Sequence, residues 1–245
     1  MKAKEEGENI FRFKQFSLFH TCSSMKVGVD GVLIGAWGAI EGSRGLDVGC
    51  GCGLIGMMAA QRHKDCTIEM IDIDLESIKE AKSNILRSDW NDRVSADVAD
   101  IIDFTAQKNN HEKYDFIISN PPFFNSGLCV FKSAREKARH EGSLSPSNLI
   151  TFAGLLLKPG GTLSMITTTE ILNFADVSPS IKLSRICYVA DRPGRTPKRI
   201  MTTFKKSAFD VCPQNLEVEN LFIRDTDGEY SEPYRRLTKD FYLKF

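Results

Sequence analysis

The segment LDVGCGCGLIG, residues 46–56, joins an apolar strand to a helix through a turn with glycine at every second position. Gly49, Gly51 and Gly53 allow the backbone to turn sharply and to approach a ligand without Cβ clashes. The helix that follows points its N-terminal amides toward the same place. This arrangement predicts the first βα unit of an α/β domain, with a ligand held at the turn.

Strand-like and helix-like segments alternate around this turn, beginning with a short helix predicted at 29–37. The predicted strands are 45–49, 67–72, 93–98, 114–119, 161–167, 186–191 and 200–205, and the later helices are 53–62, 74–87 and 145–157. The last two strands lack an intervening helix, so they should form an antiparallel hairpin. The pattern predicts an α/β, Rossmann-like class I methyltransferase fold: a seven-stranded, mostly parallel sheet with an antiparallel terminal hairpin.

The 245 residues suffice for one large domain. We expect a single methyltransferase domain over 1–245, with an N-terminal entry segment (1–43), a catalytic core (44–206) and a C-terminal tail (207–245). Within the entry segment, FRFKQFSLF (11–19) alternates apolar and polar residues and predicts a strand or hairpin arm.

The composition favours a cytoplasmic protein without a membrane span. No apolar stretch of about 18 residues is present, and the polar start MKAKEEGENI lacks the apolar core of a signal peptide. The seven cysteines show neither CxxC spacing nor histidine partners, so we expect reduced thiols and no metal site.

Acidic residues lie at or just after the ends of the first three strands of the predicted core. Asp47, just before the glycines, suits a cationic amine such as that of the methionine part of S-adenosylmethionine, and not a pyrophosphate. Asp72 ends the second strand, where an acid can accept both ribose hydroxyls. Asp100 is predicted to accept from the adenine amino group, with Asp97 as the alternative, and Asp74 is predicted to cap a helix.

The segment YDFIISNPPFF, residues 114–124, carries the predicted chemistry. Asn120 follows an apolar strand, at the edge where α/β sheets place their active sites. Its side-chain oxygen and the Pro121 carbonyl can accept the two N–H bonds of a planar amine and direct the nitrogen lone pair at a methyl donor. Pro122 stiffens the turn, and Phe123 can stack on a base.

At these motifs the chain resembles N-type Rossmann methyltransferases with an Asn-Pro-Pro-aromatic motif. It is most similar to the bacterial tRNA adenine methyltransferases that modify valine tRNA beside the anticodon. The resemblance covers about residues 9–206 and the end of the tail. Its segments are FRFKQFSLFH (11–20), MKVGVDGVLIGAW (25–37), LDVGCGCGLIG, DFIISNPPFF (115–124), ARHEGSLS (138–145), LLLKPGGTL (155–163), RTPKR (195–199) and SEPYRRLTKDFYL (231–243).

This resemblance implies methylation of the exocyclic amino nitrogen of a tRNA adenine, with S-adenosylmethionine as the cofactor. It implies that Lys26, Gly28 and Asp30 help to close over the methionine end of the cofactor. It also implies a monomeric or weakly associated enzyme without a metal.

Two basic stretches are predicted to hold RNA, although the net charge of the chain is +0. One, residues 131–140, comes after the segment 114–124, and the other, residues 191–199, joins the last two predicted strands. Their candidate contacts are Arg135, Lys137 and Arg139 in the first stretch and Arg192, Arg195, Lys198 and Arg199 in the second.

Two rival functions remain. A glutamine-amide protein methyltransferase would use the same two acceptors, but such enzymes carry an N-terminal helical domain, and only about 45 residues precede the first core strand here. A non-catalytic RNA-binding partner would not need Asp30, Asp47 and Asn120, all of which are present.

Overall fold

The computed structural model describes residues 10–21, 26–122, 144–174, 180–207 and 215–245. Its strands form a two-stranded N-terminal hairpin and an eight-stranded sheet. The hairpin consists of β1 (Ile10–Arg12) and β2 (Ser17–Phe19), which pair antiparallel, so the predicted hairpin arm at 11–19 is confirmed.

The large sheet contains five parallel strands, and the first of them leads into the glycine-rich turn. They are β3 (Arg44–Val48), β4 (Thr67–Asp72), β5 (Val94–Val98), β6 (Tyr114–Ser119) and β7 (Leu157–Thr167). Three more strands extend it: β8 (Ile181–Ala190), β9 (Arg199–Lys206) and β10 (Glu217–Phe222). The spatial order is β10-β8-β9-β7-β6-β3-β4-β5.

Helices cover both faces of this sheet. They are α1 (Val29–Trp37), α2 (Leu54–Arg62), α3 (Leu75–Leu86), α4 (Ile101–Ala106), α5 (Pro146–Leu156) and α6 (Glu232–Thr238). Neighbouring residues of β4 show the two layers, because Met70 packs with α2 and α3, whereas Ile71 packs with α4 and α5. The doubly wound architecture predicted from the alternating pattern is therefore confirmed, and α1 has the predicted bounds.

The sheet has eight strands, and the prediction of seven was wrong by one. The additional strand, β10, lies in the segment that the sequence assigned to a tail, and it pairs parallel with the outer edge of β8. Its sequence EVENLF contains three residues of low strand propensity, so the local pattern did not reveal it. Pairing with β8 and the 2.7 Å ion pair between Arg185 Nε and Glu219 hold the strand there.

The predicted antiparallel hairpin is formed by β8 and β9. Because β9 also runs antiparallel to β7, Thr167 at the carboxyl end of β7 pairs with Ile200 at the start of β9. The loop 191–198 therefore emerges at the edge where the parallel strands β3 to β7 end. This is the edge that carries the predicted active site.

The N-terminal hairpin packs against the end of the chain. Phe13 forms a bridge with Tyr242, and the Lys14 ammonium donates to the carbonyls of Lys239 and Phe245 at 2.6 and 2.7 Å. The N-terminal hairpin and the C-terminal segment thus lie against the same layer of helices, since Phe13 and Phe241 share the apolar cluster that contains α2. No helix among the described residues is long and apolar enough to span a membrane.

Candidate active site

The glycine-rich turn after β3 has the backbone that its sequence requires. Gly49, Gly51 and Gly53 have φ values of 71°, 54° and 90°, in the left-handed region that favours glycine. The amides of Gly49 and Cys50 donate to the Ile71 carbonyl, which fixes the turn beside the end of β4. A Cβ at Gly51 would meet no atom of the described residues within 4 Å, so these residues leave open space beside the backbone.

Asp47 lies beneath this turn and is completely buried. One carboxylate oxygen accepts from the Gly56 amide at 2.8 Å, while the other is buried and has no hydrogen-bond partner among the described residues. Burial raises the pKa of the Asp47 carboxyl to about 7; the Gly56 amide opposes this rise and the Asp72 carboxylate adds to it. A buried acceptor of this kind favours a cationic ligand group.

Asp72 occupies the carboxyl end of β4, beside the glycine-rich turn. Its Oδ2 atom accepts from the Gly51 amide at 2.9 Å and its Oδ1 atom from the Asp74 amide at 2.9 Å. These two hydrogen bonds hold the carboxylate at the rim of the open space beside Gly51. Asp74 caps α3 through the Ser77 amide, as predicted.

Asp100 and its alternative, Asp97, follow the neighbouring strand. Asp100 is the N-cap of α4 and accepts from the Ile102 amide at 2.9 Å. Asp97 lies within β5 and forms an ion pair with Lys82 at 3.1 Å, with 74% of its side chain exposed. Asp97 therefore has a surface role, and Asp100, half-buried at the sheet edge, stays the predicted contact for an adenine.

Asn120 is the first residue after β6, and β6 pairs with β3. Since Val48 pairs with Ser119, Asn120 and Gly49 leave adjacent strands at the same level. Asn120 is 9% exposed, and its side-chain oxygen is buried without a hydrogen-bond partner among the described residues. Pro121 is buried and Pro122 exposed, while the predicted stacking residue Phe123 lies outside the described residues.

The entry segment and the basic loop meet at α1. Asp30, in the first turn of α1, forms a 2.9 Å ion pair with Arg199, whereas Lys26 is exposed. Arg195 and Lys198 have exposed side chains, and Arg192 forms a 3.3 Å ion pair with Asp191. The other predicted RNA contacts, Arg135, Lys137 and Arg139, lie outside the described residues.

Sequence reasoning missed Asn84, which connects the entry hairpin to the glycine-rich turn. Its oxygen accepts from the Phe19 amide, and its nitrogen donates to the carbonyls of Phe19 and Cys52, each at 2.9 Å. The side chain is 1% exposed. The only signal in the sequence was an Asn on the apolar side of a predicted helix, where a buried amide needs partners.

The chemistry of these groups fits the predicted cofactor. Two buried oxygens without partners among the described residues, on Asp47 and Asn120, flank a turn with open space at Gly51. Asp47 would face a cationic amine and Asp72 the ribose hydroxyls. Within the described part of the chain, no group of three or more His, Cys, Asp or Glu side chains could hold a metal ion.

A family model described as "Methyltransferase small domain" matches residues 32–177. A tRNA1(Val) (adenine(37)-N6)-methyltransferase from Mannheimia succiniciproducens is 35% identical and covers 100% of this chain and 97% of its own. A protein with the same name from Bacteroides fragilis is 39% identical and covers 97% of this chain and 99% of its own.

The chain belongs to this methyltransferase family. Its membership confirms the family that the sequence resembled, the enzyme class and S-adenosylmethionine as the methyl donor.

Solved structures of low sequence identity share the fold. An O-methyltransferase predicted in Agrobacterium tumefaciens has a TM-score of 0.63 at 19% identity, covering 86% of this chain and 96% of its own. TYW2 of Pyrococcus horikoshii, in complex with MeSAdo, has a TM-score of 0.60 at 13% identity, covering 82% and 71%. These likenesses confirm the class I methyltransferase fold.

Proposed function

We propose that this enzyme methylates the exocyclic N6 amino group of an adenine in tRNA, at position 37 of a valine tRNA. The proposal rests on one observation: the side-chain oxygen of Asn120 is buried beside the glycine-rich turn and has no hydrogen-bond partner among the described residues. Relatives of the chain bear that activity in their names. The full-length similarity extends to both ends of the chain, including the entry hairpin and the tail.

The chemistry follows from the properties of an aromatic amine. Its lone pair is delocalised into the ring, so the nitrogen is a weak nucleophile. Two acceptors that hold the N–H bonds in a pyramidal arrangement free the lone pair for attack on the methyl group. Asn120 Oδ1 and the Pro121 carbonyl are the two acceptors, and burial strengthens both because little water competes. S-adenosylmethionine supplies the methyl group on a sulfonium. The methyl–sulfur bond breaks as the methyl–nitrogen bond forms, and the nitrogen then loses its acidic proton to solvent. No strong general base is needed, so positioning accounts for most of the acceleration.

Asp47, Asp72 and Asp100 hold the cofactor in this proposal, together with the glycines of the turn and the entry residues Lys26 and Asp30. Asp47 is the last residue but one of β3, Asp72 ends β4, and Asp100 follows β5 by two residues, all at the same sheet edge. Asp47 faces the amine, Asp72 the ribose and Asp100 the adenine. Phe123 stacks on the target base.

The tRNA backbone lies along the basic loop 191–198 and the stretch that follows the Asn-Pro-Pro motif. Support comes from the exposed side chains of Arg195 and Lys198 at the edge where β7 ends. Phosphates attract such groups without regard to base sequence, and a target adenine must leave its stack to reach a buried acceptor. Arg135, Lys137 and Arg139, which lie outside the described residues, are further proposed phosphate contacts.

We also place residues 1–245 in one domain that acts as a monomer in the cytoplasm. The pairing of β10 with β8, and of Phe13 with Tyr242, supports a tail that is integral to the domain.

Transfer of a radiolabelled methyl group tests the proposal directly. Purified enzyme and labelled S-adenosylmethionine are incubated with unmodified tRNA and, in parallel, with cell protein. We expect label in N6-methyladenosine of tRNA, mapped by nuclease digestion and mass spectrometry to position 37. Label in a glutamine amide of protein and none in tRNA would establish the rival protein methyltransferase instead.

A further inference from the structure

Arg199 joins two segments that lie far apart in sequence. Its Nε atom donates to Asp30 Oδ2 at 2.9 Å, and its Nη1 atom donates to the Lys198 carbonyl at 3.1 Å. The side chains of Arg199 and Asp30 are 33% and 27% exposed, so solvent only partly screens the pair. One guanidinium thus holds the end of the basic loop and the first turn of α1 together.

Asp30 lies close to the glycine-rich turn, because α1 and α2 pack tightly at their N-terminal ends. A Cβ on Gly31 would approach within 2.8 Å of Leu54 Cδ2. Leu54 begins α2 and directly follows Gly53. A shift of the N-terminal end of α1 would therefore displace Leu54 and, with it, the adjoining glycine-rich turn.

The other end of the connection is the loop 191–198. Arg199 is the first residue of β9, and the Lys198 amide donates to the Val189 carbonyl at 3.2 Å. The exposed cations of this loop, Arg195 and Lys198, precede Arg199 by four residues or fewer. Phosphates bound there would act on the loop end that Arg199 holds.

We infer that Arg199 is a positioning residue that links the basic loop to Asp30, so that tRNA and the cofactor bind with positive coupling. The Arg199 guanidinium binds Asp30 and the Lys198 carbonyl, and the side chains of the neighbouring Arg195 and Lys198 bind the phosphates. This inference rests on the proposed tRNA substrate. Coupling is reciprocal: if tRNA tightens the cofactor site, the cofactor tightens the tRNA site by the same factor.

The test measures the calorimetric affinity for S-adenosylhomocysteine with and without saturating unmodified tRNA. In the unchanged enzyme, tRNA should tighten binding by about fivefold. Arg199→Gln and Asp30→Asn should each abolish most of this tightening, and the double variant should lose no more than either single one. Arg44→Gln is the matched control, because Arg44 forms a 2.7 Å ion pair with Glu69 at the opposite edge of the sheet.

A second measurement separates positioning from phosphate contact. Arg199→Gln should leave the salt dependence of tRNA affinity unchanged, whereas the loss of a phosphate ligand lowers the log–log slope by about 1. Three results would each overturn this inference and leave the proposed function standing. They are a lowered slope in Arg199→Gln, full coupling in Arg199→Gln, and additive losses in the double variant. Failure of the unchanged enzyme to bind S-adenosylhomocysteine or tRNA would overturn the proposed function, and this inference with it.

Discussion

The Ser119 hydroxyl donates a 2.7 Å hydrogen bond to the Val48 carbonyl and so ties the strand that carries Asn120 to the strand that carries the glycine-rich turn. Both residues are buried, at 0% and 2% exposure, and they are paired in the sheet. Asn120, the proposed acceptor for the amine, and the glycine-rich turn, the proposed cofactor site, therefore leave the sheet side by side, at a separation set by this contact and the strand pairing.

Ser119→Ala should lower the free energy of unfolding by about 1 kcal/mol, the net value of a typical neutral hydrogen bond. It should also lower kcat by about tenfold, since a small displacement of Asn120 misaligns the amine. Ser184→Ala is the control, because the Ser184 hydroxyl donates to the Thr203 carbonyl at 2.9 Å, away from the site. Urea denaturation should show similar losses in both variants, and kinetics a loss in Ser119→Ala alone. Equal kcat values would remove Ser119 from the positioning of the site.

Asn120→Ala should reduce kcat by about a hundredfold to a thousandfold, the usual effect of removing one preorganised hydrogen-bonding group. Affinity for S-adenosylhomocysteine should stay nearly unchanged, because Asn120 acts on the amine. Single-turnover methylation of tRNA and calorimetry provide the two measurements. Asn91→Ala, at an exposed position, is the matched control. A variant at Asn120 that keeps most of its kcat would contradict the two-acceptor mechanism.

Asp47→Asn should change the pH dependence of stability. Because burial raises the pKa of Asp47 from 3.8 to about 7, ionisation costs more in the folded than in the unfolded chain. This penalty is absent below the unfolded pKa, grows as the pH rises toward 7, and is constant above it. The stability of Asp47→Asn relative to the unchanged protein should therefore increase between about pH 4 and about pH 7 and then level off.

Urea denaturation of both proteins at several pH values, without ligand, measures that difference. Because the two chains differ at one titrating group, the contributions of carboxyls that do not interact with Asp47 cancel. A difference that is independent of pH across this range would show that Asp47 is ionised at its ordinary pKa in the folded protein.

Arg195→Gln and Lys198→Gln should each weaken tRNA binding and lower the log–log slope against salt by about 1, the effect of one lost phosphate contact. Both side chains are exposed on the loop 191–198, at the sheet edge where the parallel strands β3 to β7 end. Filter binding over a salt series measures the slope, and Arg44→Gln, at the opposite edge, should leave it unchanged. An unchanged slope in both loop variants would exclude the loop from the RNA interface.

Sequence pattern by itself determined the succession of βα units, the glycine-rich turn and the position of Asn120 after β6. These features are encoded locally: apolar runs alternate with amphipathic helices, and three glycines at alternate positions permit the left-handed backbone. The terminal hairpin could also be predicted, because the connection from β8 to β9 is too short to contain a helix.

Tertiary structure alone decided the eighth strand, the hydrogen bonds of Asn84 to Phe19 and Cys52, and the ion pair between Arg199 and Asp30. Each of these depends on groups that are distant in the sequence, such as Asn84 and Phe19 or Arg199 and Asp30. The raised pKa of Asp47 likewise comes from burial under a folded turn and not from its neighbours in the chain. Local pattern encodes where strands and helices begin, but only packing determines which polar groups are buried, and a buried group must find a partner or change its charge.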